Sequence, residues 1–388
     1  MPSVHLCLIG FFTFFSYSLS RFPVIPLFAS GFGVGPEAVG IAVAASTLTG
    51  IPGKIFFGAL SDRIGRRRIL VCATAIAALV PFAYPWLATS YPALVAIRFC
   101  HGLVTAMIGP SAHAIVSDMA RAHERGVRLG TYSSSTMMGA ALGPWLCGVL
   151  LSWGGLRYPF LVSGAVGVVA FALAVAWRPS AAVASLSSQP MWHGALSVLR
   201  DRGIMQLGVV QACQYLATGC VEAFLPVYAK QAMGLAEWQI GWLFGIQVLG
   251  TMASKPLMGR LADRLGRRAP MIGGFMLGAV VVWSVPWLRS FWALTAVAVV
   301  YGVAVATVTV AVAAYVTDLA GGVRYGAAHG ILGTTTDIGH ASGPLLGGLL
   351  ISWLGYHGTF ALMSGLLMMA GVVMVCRRRG SAELCAAS

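Results

Sequence analysis

The segment Gly58-Ala59-Leu60-Ser61-Asp62-Arg63-Ile64-Gly65-Arg66-Arg67-Arg68 returns half a chain length later as Gly259-Arg260-Leu261-Ala262-Asp263-Arg264-Leu265-Gly266-Arg267-Arg268. Each copy follows a long apolar stretch, and Lys54 and Lys255 stand four residues before the first glycine of each. A charged, glycine-punctuated loop repeated at this distance marks a duplicated chain. The apolar stretches on either side of it mark a membrane bundle.

With 58% hydrophobic and 9% charged residues, the composition excludes an ordinary soluble protein, in which about a quarter are charged. A crossing helix needs roughly 20 apolar residues. On that measure the sequence predicts twelve spans, at 6–29, 39–59, 69–88, 91–117, 128–152, 158–177, 204–229, 239–258, 270–288, 291–317, 327–351 and 356–376. These runs are too long and too uniformly apolar for the alternating strands of a barrel. The expected fold is an all-α membrane protein of two pseudo-symmetric six-helix bundles, 1–178 and 203–388. A linker rich in Ala, Ser and Pro joins them at 179–202.

The net charge of +14 is unevenly placed. Arg21 and Arg98 fall within spans, and Arg157, Lys230 and Arg289 in loops of one side. All the other Lys and Arg fall on the side that carries both termini. Positive residues collect on the cytoplasmic face, so both termini are expected there. No soluble domain carries a nucleic-acid patch. The first run is too long for a signal peptide and lacks a basic start, so it reads as a retained helix. The eight cysteines form no C-x-x-C pair and lie mostly in spans, implying neither disulfide nor metal. There is no G-x-x-x-x-G-K-[ST] for ATP, and no cofactor is expected. Nothing points to a hydrolase or another enzyme.

The repeated loop resembles the signature G-x-L-x-D-R-x-G-R-R between the second and third helices of the major facilitator superfamily. A second repeat sets Gly139-x-x-x-Gly143-Pro144 with Gly148 in the fifth span against Gly339-x-x-x-Gly343-Pro344 with Gly348 in the eleventh. It resembles the glycine-proline motif of the drug:proton antiporters in that superfamily, and here it stands in both halves. Glycines four apart leave a smooth strip for close helix packing, and the prolines permit a hinge. Leu94-x-x-x-Arg98-x-x-x-Gly102 resembles the fourth-helix arginine motif linked to proton transfer. The resemblance covers residues 4–377. It implies two bundles related by an axis along the membrane normal, a midplane cargo site and alternating access.

In that fold the loops act as conformational latches on the cytoplasmic side, with Gly58, Asp62, Arg63, Gly65 and Arg66 in one copy and Gly259, Asp263, Arg264, Gly266 and Arg267 in the other. The aspartates are expected near a helix N-terminus of the opposite half. The arginines are expected to pair with Asp118 and Asp318. The competing reading is topology anchoring by positive charge alone.

Charges inside spans cost on the order of 3 kcal/mol each. They are Arg21, Arg98, Glu222 and Asp337, with His101 and His340 as titratable companions. Arg21 and Glu222 occupy equivalent positions in the first and seventh spans, which in the superfamily fold face each other across the cavity. They suit an anion clamp, a proton carrier or a structural pair. Asp337 and His340, three apart, share a helix face about 13 Å from the end of the span. Asp337 reads as a proton site or as a partner of the Thr334-Thr335-Thr336 run. Arg98 with His101 reads as proton coupling or as a bond to a backbone carbonyl. By analogy with the fold, Tyr17, Ser46, Gln211, Gln214, Tyr215 and Gln247 line the cavity.

The expected function is secondary transport by a monomer of the bacterial cytoplasmic membrane, namely proton-coupled efflux of a small, amphiphilic organic compound. The rival is proton-coupled uptake of an organic anion or metabolite. A membrane sensor that binds without transport would bring an added signalling domain, which this sequence does not contain.

Overall fold

The structure, a computed structural model, describes residues 2–120, 124–178 and 198–376, and these form only helices and turns. Most of the linker expected at 179–202 therefore lies outside the described residues. The helices are Pro2–Leu19, Val24–Ser30, Pro36–Ile64, Arg66–Leu87, Tyr91–Asp118, Arg125–Gly154, Arg157–Ala176, Arg202–Met233, Glu237–Leu265, Arg268–Ser284 with a short 3-10 turn Val285–Trp287, and Phe291–Cys376.

Ten stretches are long and apolar enough to cross a membrane. Glu237–Leu265 is less apolar but matches Pro36–Ile64 in length, 29 residues each. The last stretch, Ala327–Cys376, has 50 residues, enough for two crossings, and Gly355 within it has φ 67°. Counted this way, the described residues accommodate twelve passes. The run Phe291–Cys376 is not one straight rod, because the Thr317 hydroxyl lies 2.9 Å from Nε2 of His329. Twelve residues of straight helix would separate them by about 18 Å, so the chain folds back between them.

Positive φ falls on six described glycines in three matched pairs: Gly33 with Gly234, Gly65 with Gly266, and Gly155 with Gly355. Only glycine takes that conformation without strain. The turns are therefore duplicated along with the helices, and Gly65 and Gly266 are the hinges of the two basic loops. One pass breaks the symmetry. The seventh span is continuous from Arg202 to Met233, whereas the first is interrupted by a turn at 20–23. Pro23 and Pro26 withhold two backbone donors there, and Arg21 sits in the gap.

In the first half, the first span packs on the fifth, the second on the fourth and the third on the sixth. Between halves, the second meets the eleventh and the fifth meets the eighth. The glycine-proline strips serve both contacts. A Cβ on Gly139 would lie 2.3 Å from the Phe11 carbonyl, and one on Gly143 2.7 Å from the Leu19 nitrogen. On the twin strip, Gly339 and Gly343 meet the carbonyls of Ala212 and Leu216 at 2.2 and 2.3 Å. Across the halves, Gly40 faces the Pro344 carbonyl at 2.2 Å, and Gly241 faces the Pro144 carbonyl at 2.6 Å. The helices run unbroken through Pro144 and Pro344.

These cross-half contacts lie toward the face opposite the basic loops. Nearer the basic face, Cβ positions at Gly126, Gly130, Gly330 and Gly333 have no neighbour within 4 Å among the described residues. The two bundles thus touch backbone to backbone at one face and part toward the other.

Candidate functional site

The deepest polar group between the halves is built from three residues on three spans. Arg21 points its Nη2 at Nδ1 of His340, 3.0 Å away, and Nε2 of His340 lies 2.8 Å from a Glu222 carboxylate oxygen. A guanidinium only donates, so Nδ1 accepts and the ring carries its proton on Nε2. A neutral imidazole in that form donates to Glu222 and completes the chain. Arg21 also reaches Thr47 at 3.4 Å and lies 4.7 Å from the Phe22 ring and 5.8 Å from that of Tyr17. Its Nε is buried with no partner. The Tyr215 ring stands 6.2 Å from the His340 ring. The sequence places Arg21 and Glu222 on opposing walls, but the structure joins them through His340 rather than directly.

Asp337 departs from the second of its two expected roles. It does not bond to the threonine run, whose hydroxyls turn back on their own helix, Thr334 to the Gly330 carbonyl and both Thr335 and Thr336 to that of Leu332. A hydroxyl in a helix finds its local carbonyl more easily than a neighbour one residue away. Asp337 instead forms an ion pair across the halves with Lys54 of the second span. Asp337 and His340 share a helix face, yet they serve two different layers of the cleft.

Arg98 is wholly buried inside the first half. It donates to the carbonyls of Ala42 and Val43, at 3.2 and 3.3 Å, and to the Ser46 hydroxyl, which also takes the Tyr17 hydroxyl at 3.1 Å. His101 beside it contacts the Tyr84 hydroxyl at 3.2 Å and packs edge-on against Tyr17. This places Arg98 on backbone carbonyls of the second span, not on a carboxylate. Gly102 explains how the two spans come close enough, since a Cβ there would lie 2.2 Å from the Ser46 carbonyl. Its twin Gly302 does the same at the Gln247 carbonyl, 2.3 Å.

The remaining cavity candidates divide. Gln211, Gln214 and Gln247 are buried; among the described residues the Gln214 amide has no hydrogen-bond partner at either end and Gln211 has none at its oxygen. Thr218 links the Gln214 carbonyl to the Tyr301 hydroxyl, at 3.0 and 2.9 Å, behind the seventh span.

At the basic loops, each copy builds the same cluster within its own half. Arg66 bonds Asp62 at 3.1 Å and pairs with Asp118. Arg267 bonds Asp318 at 3.0 Å and pairs with Asp263. The hydrogen bonds it donates to Asp263 and then to Asp318 push the Arg267 pKa further up, so it stays charged. The carboxylates of Asp62 and Asp263 are engaged by these arginines and largely exposed, not seated on a helix of the other half. That follows from the separation of the bundles at this face. The pairing residues are the arginines after the turn glycine, and Arg63 and Arg264 lie in the last turns of the preceding helices. The next arginine in each copy has a use the sequence reading missed. Arg67 donates to the carbonyls of Val175 and Trp177, both at 2.8 Å, and Arg268 to those of Met374 and Val375. Each caps the C-terminal end of the last helix in its half, where a cation offsets the dipole. The signal for it was the doubled arginine present in both copies.

Comparison with known proteins agrees with this architecture. The family model described as Major Facilitator Superfamily matches residues 6–206 and again 207–383. Multidrug resistance protein MdtG of Salmonella paratyphi A (strain ATCC 9150 / SARB42) is 24% identical over 357 residues, covering 89% of this chain and 88% of that protein. MdtG of Citrobacter koseri is 24% identical over 359 residues, with 89% and 87% covered. The crystal structure of a mutant of the nucleoside transporter NupG superposes with a TM-score of 0.80 at 10% identity, over 97% of this chain and 99% of that one. At that identity the likeness is one of fold. The duplicated loops, the paired bundles and a match running through both halves lead to one conclusion: this integral membrane protein belongs to the Major Facilitator Superfamily.

Proposed function

We propose that the protein exports a small, amphiphilic organic compound across the bacterial cytoplasmic membrane in exchange for protons, with both termini in the cytoplasm. It acts as a transporter, not an enzyme. The observation that carries this reading is the chain from Arg21 through His340 to Glu222, which ties the halves together through titratable groups near mid-membrane. The chain is complete without an extra proton. One proton on Nδ1 of His340 removes the acceptor for Arg21 and sets two cations face to face. One proton on Glu222 removes the charge that orients the ring. Either way the link between the halves weakens, so protonation biases the equilibrium between the two access states. The present conformer, parted toward the basic face, corresponds to the state after proton release to the cytoplasm. The Lys54–Asp337 pair is a second cross-half link of the same kind.

The names of the relatives support the direction, since MdtG is a multidrug resistance protein. Proteoliposomes with an imposed pH gradient provide the test. Cargo movement against its own gradient, abolished by a protonophore, is expected. Movement indifferent to the pH gradient would leave a transporter of other energetics.

In this scheme residues 1–178 and 203–388 are the rocking units, and the basic loops latch them when the cytoplasmic side closes. Asp62→Asn together with Asp263→Asn should hold the protein longer in the parted conformer with its amount in the membrane unchanged. Cysteines introduced at Gly130 and Gly330 would then label faster from the cytoplasmic side. Unchanged labelling and unchanged transport would reduce the loops to topology anchors.

A further inference from the structure

The duplication sets two lysines at equivalent positions, Lys54 on the second span and Lys255 on the eighth. Each stands at a contact between the halves. Lys54 has an acid there, Asp337 of the eleventh span. The equivalent contact of Lys255 is on the fifth span, and there its Nζ lies 3.2 Å from Sδ of Met137. A thioether is a weak acceptor and carries no charge. Among the described residues, no carboxylate lies within ion-pair distance of Lys255. An ammonium drawn partly out of water at a helix contact is costly and is ordinarily paired. This lysine is present in both copies of the repeat, but the acid that would pair with it is present in only one.

The charges along the cleft sharpen the point. Arg21 is balanced by Glu222 through a neutral His340, and Lys54 by Asp337. Among the described residues that line the cleft, Lys255 is the cation left without an acid, Arg98 being held by carbonyls inside the first half. Deeper in the same cleft, Nε of Arg21 is buried without a partner, a second donor without an acceptor.

We infer that Lys255 receives an anionic group of the cargo, a carboxylate, sulfonate or phosphonate attached to an apolar body. The inference rests on the transport reading above and names its substrate class. Closing the basic face brings the fifth and eighth spans together along the stretch where Gly126 and Gly130 now have no neighbour. Without cargo, that movement takes the ammonium, already beside Met137, fully out of water with no counter-ion, which is penalised. With an anion seated on Lys255, the charge enters the closed state neutralised. Selection of the cargo and permission to close are then one event, and the Lys54 side, which brings its own acid, adds no such requirement.

The full chain in nanodiscs of phosphatidylcholine tests this with three matched probes: 2-naphthoate, its methyl ester and 2-naphthylmethylammonium, followed by quenching of tryptophan fluorescence. Naphthoate should bind wild type about tenfold more tightly than the ester, and the ammonium most weakly. Lys255→Met should bring naphthoate down to the level of the ester, and Lys255→Arg should keep the preference. Met137→Asp supplies the missing acid and should abolish the preference as fully as Lys255→Met. Naphthoate binding no more tightly than its ester to wild type overturns the inference without reference to any variant. So does a preference that survives both Lys255→Met and Met137→Asp. An anionic lipid headgroup has the same chemistry. A loss of naphthoate affinity of about tenfold or more on adding phosphatidylglycerol to the discs would assign Lys255 to lipid, against the cargo reading. Gradient-driven transport without any anion preference would sink this inference alone. An anion preference without gradient-driven transport would uphold it and sink the proton reading.

Discussion

Glu222→Gln should uncouple transport from the pH gradient while leaving cargo-for-cargo exchange intact. The amide still fills the space beside His340 but has lost the charge that holds Nε2–H, and it cannot take up a proton. A charge-assisted hydrogen bond in such a place is worth about 1.5–3 kcal/mol, so gradient-driven accumulation should fall by a factor of about ten to a hundred. His340→Phe should do the same by removing both bonds at once. Counterflow measured in the same proteoliposomes separates a coupling defect from a binding defect. If Glu222→Gln with Asp337→Asn still accumulates cargo on a pH gradient, neither carboxyl lies on the proton path. Attention would then move to His101, which packs against Tyr17 and Tyr84 within the first half.

The second large effect is steric. Gly40 and Gly241 are two of the places where the halves meet through bare backbone, with a Cβ standing 2.2 and 2.6 Å from the carbonyls of Pro344 and Pro144. Neither carbonyl can swing away as a side chain would, so valine at both positions has to hold the bundles apart at the face that is now sealed. Overpacking of this kind costs about 1–3 kcal/mol per site. Two such sites move the equilibrium between access states by a factor of about thirty to a few tens of thousands. Transport should be nearly lost, with cysteine labelling from that face sharply increased. Valine at Gly139 or Gly339 should behave differently. Those glycines pack a span within its own half, so the amount of folded protein should fall instead. Valine at Gly365, exposed on the twelfth span with no described neighbour within 4 Å, is the silent control. Wild-type transport by the Gly40→Val, Gly241→Val protein would mean that the sealed face is not a working state.

The sequence by itself determined the class of the protein, its duplication and the position of nearly every helix. The reason is that a bilayer admits so few solutions. A run of apolar residues without charges has to cross, basic loops have to stay on one side, and a repeated loop repeats its turn. Gly65 and Gly266 were legible because a turn glycine interrupts an otherwise uniform pattern, as were Arg21, Glu222, Asp337 and His340 because a charge in a span is conspicuous. What each charge does was decided only by the tertiary structure. Arg21 and Glu222 are joined by His340, Asp337 answers Lys54 of the other half, and Arg98 bonds the backbone of its neighbour. Nor could spacing along one chain separate Lys54 from Lys255, two lysines in identical settings of the repeat. Their partners come from helices more than a hundred residues away, brought to them by the packing of the two halves. Partnership in a membrane interior is a matter of which helix faces which. That is settled by backbone-level contacts such as Gly40 on Pro344, and local sequence carries no record of them.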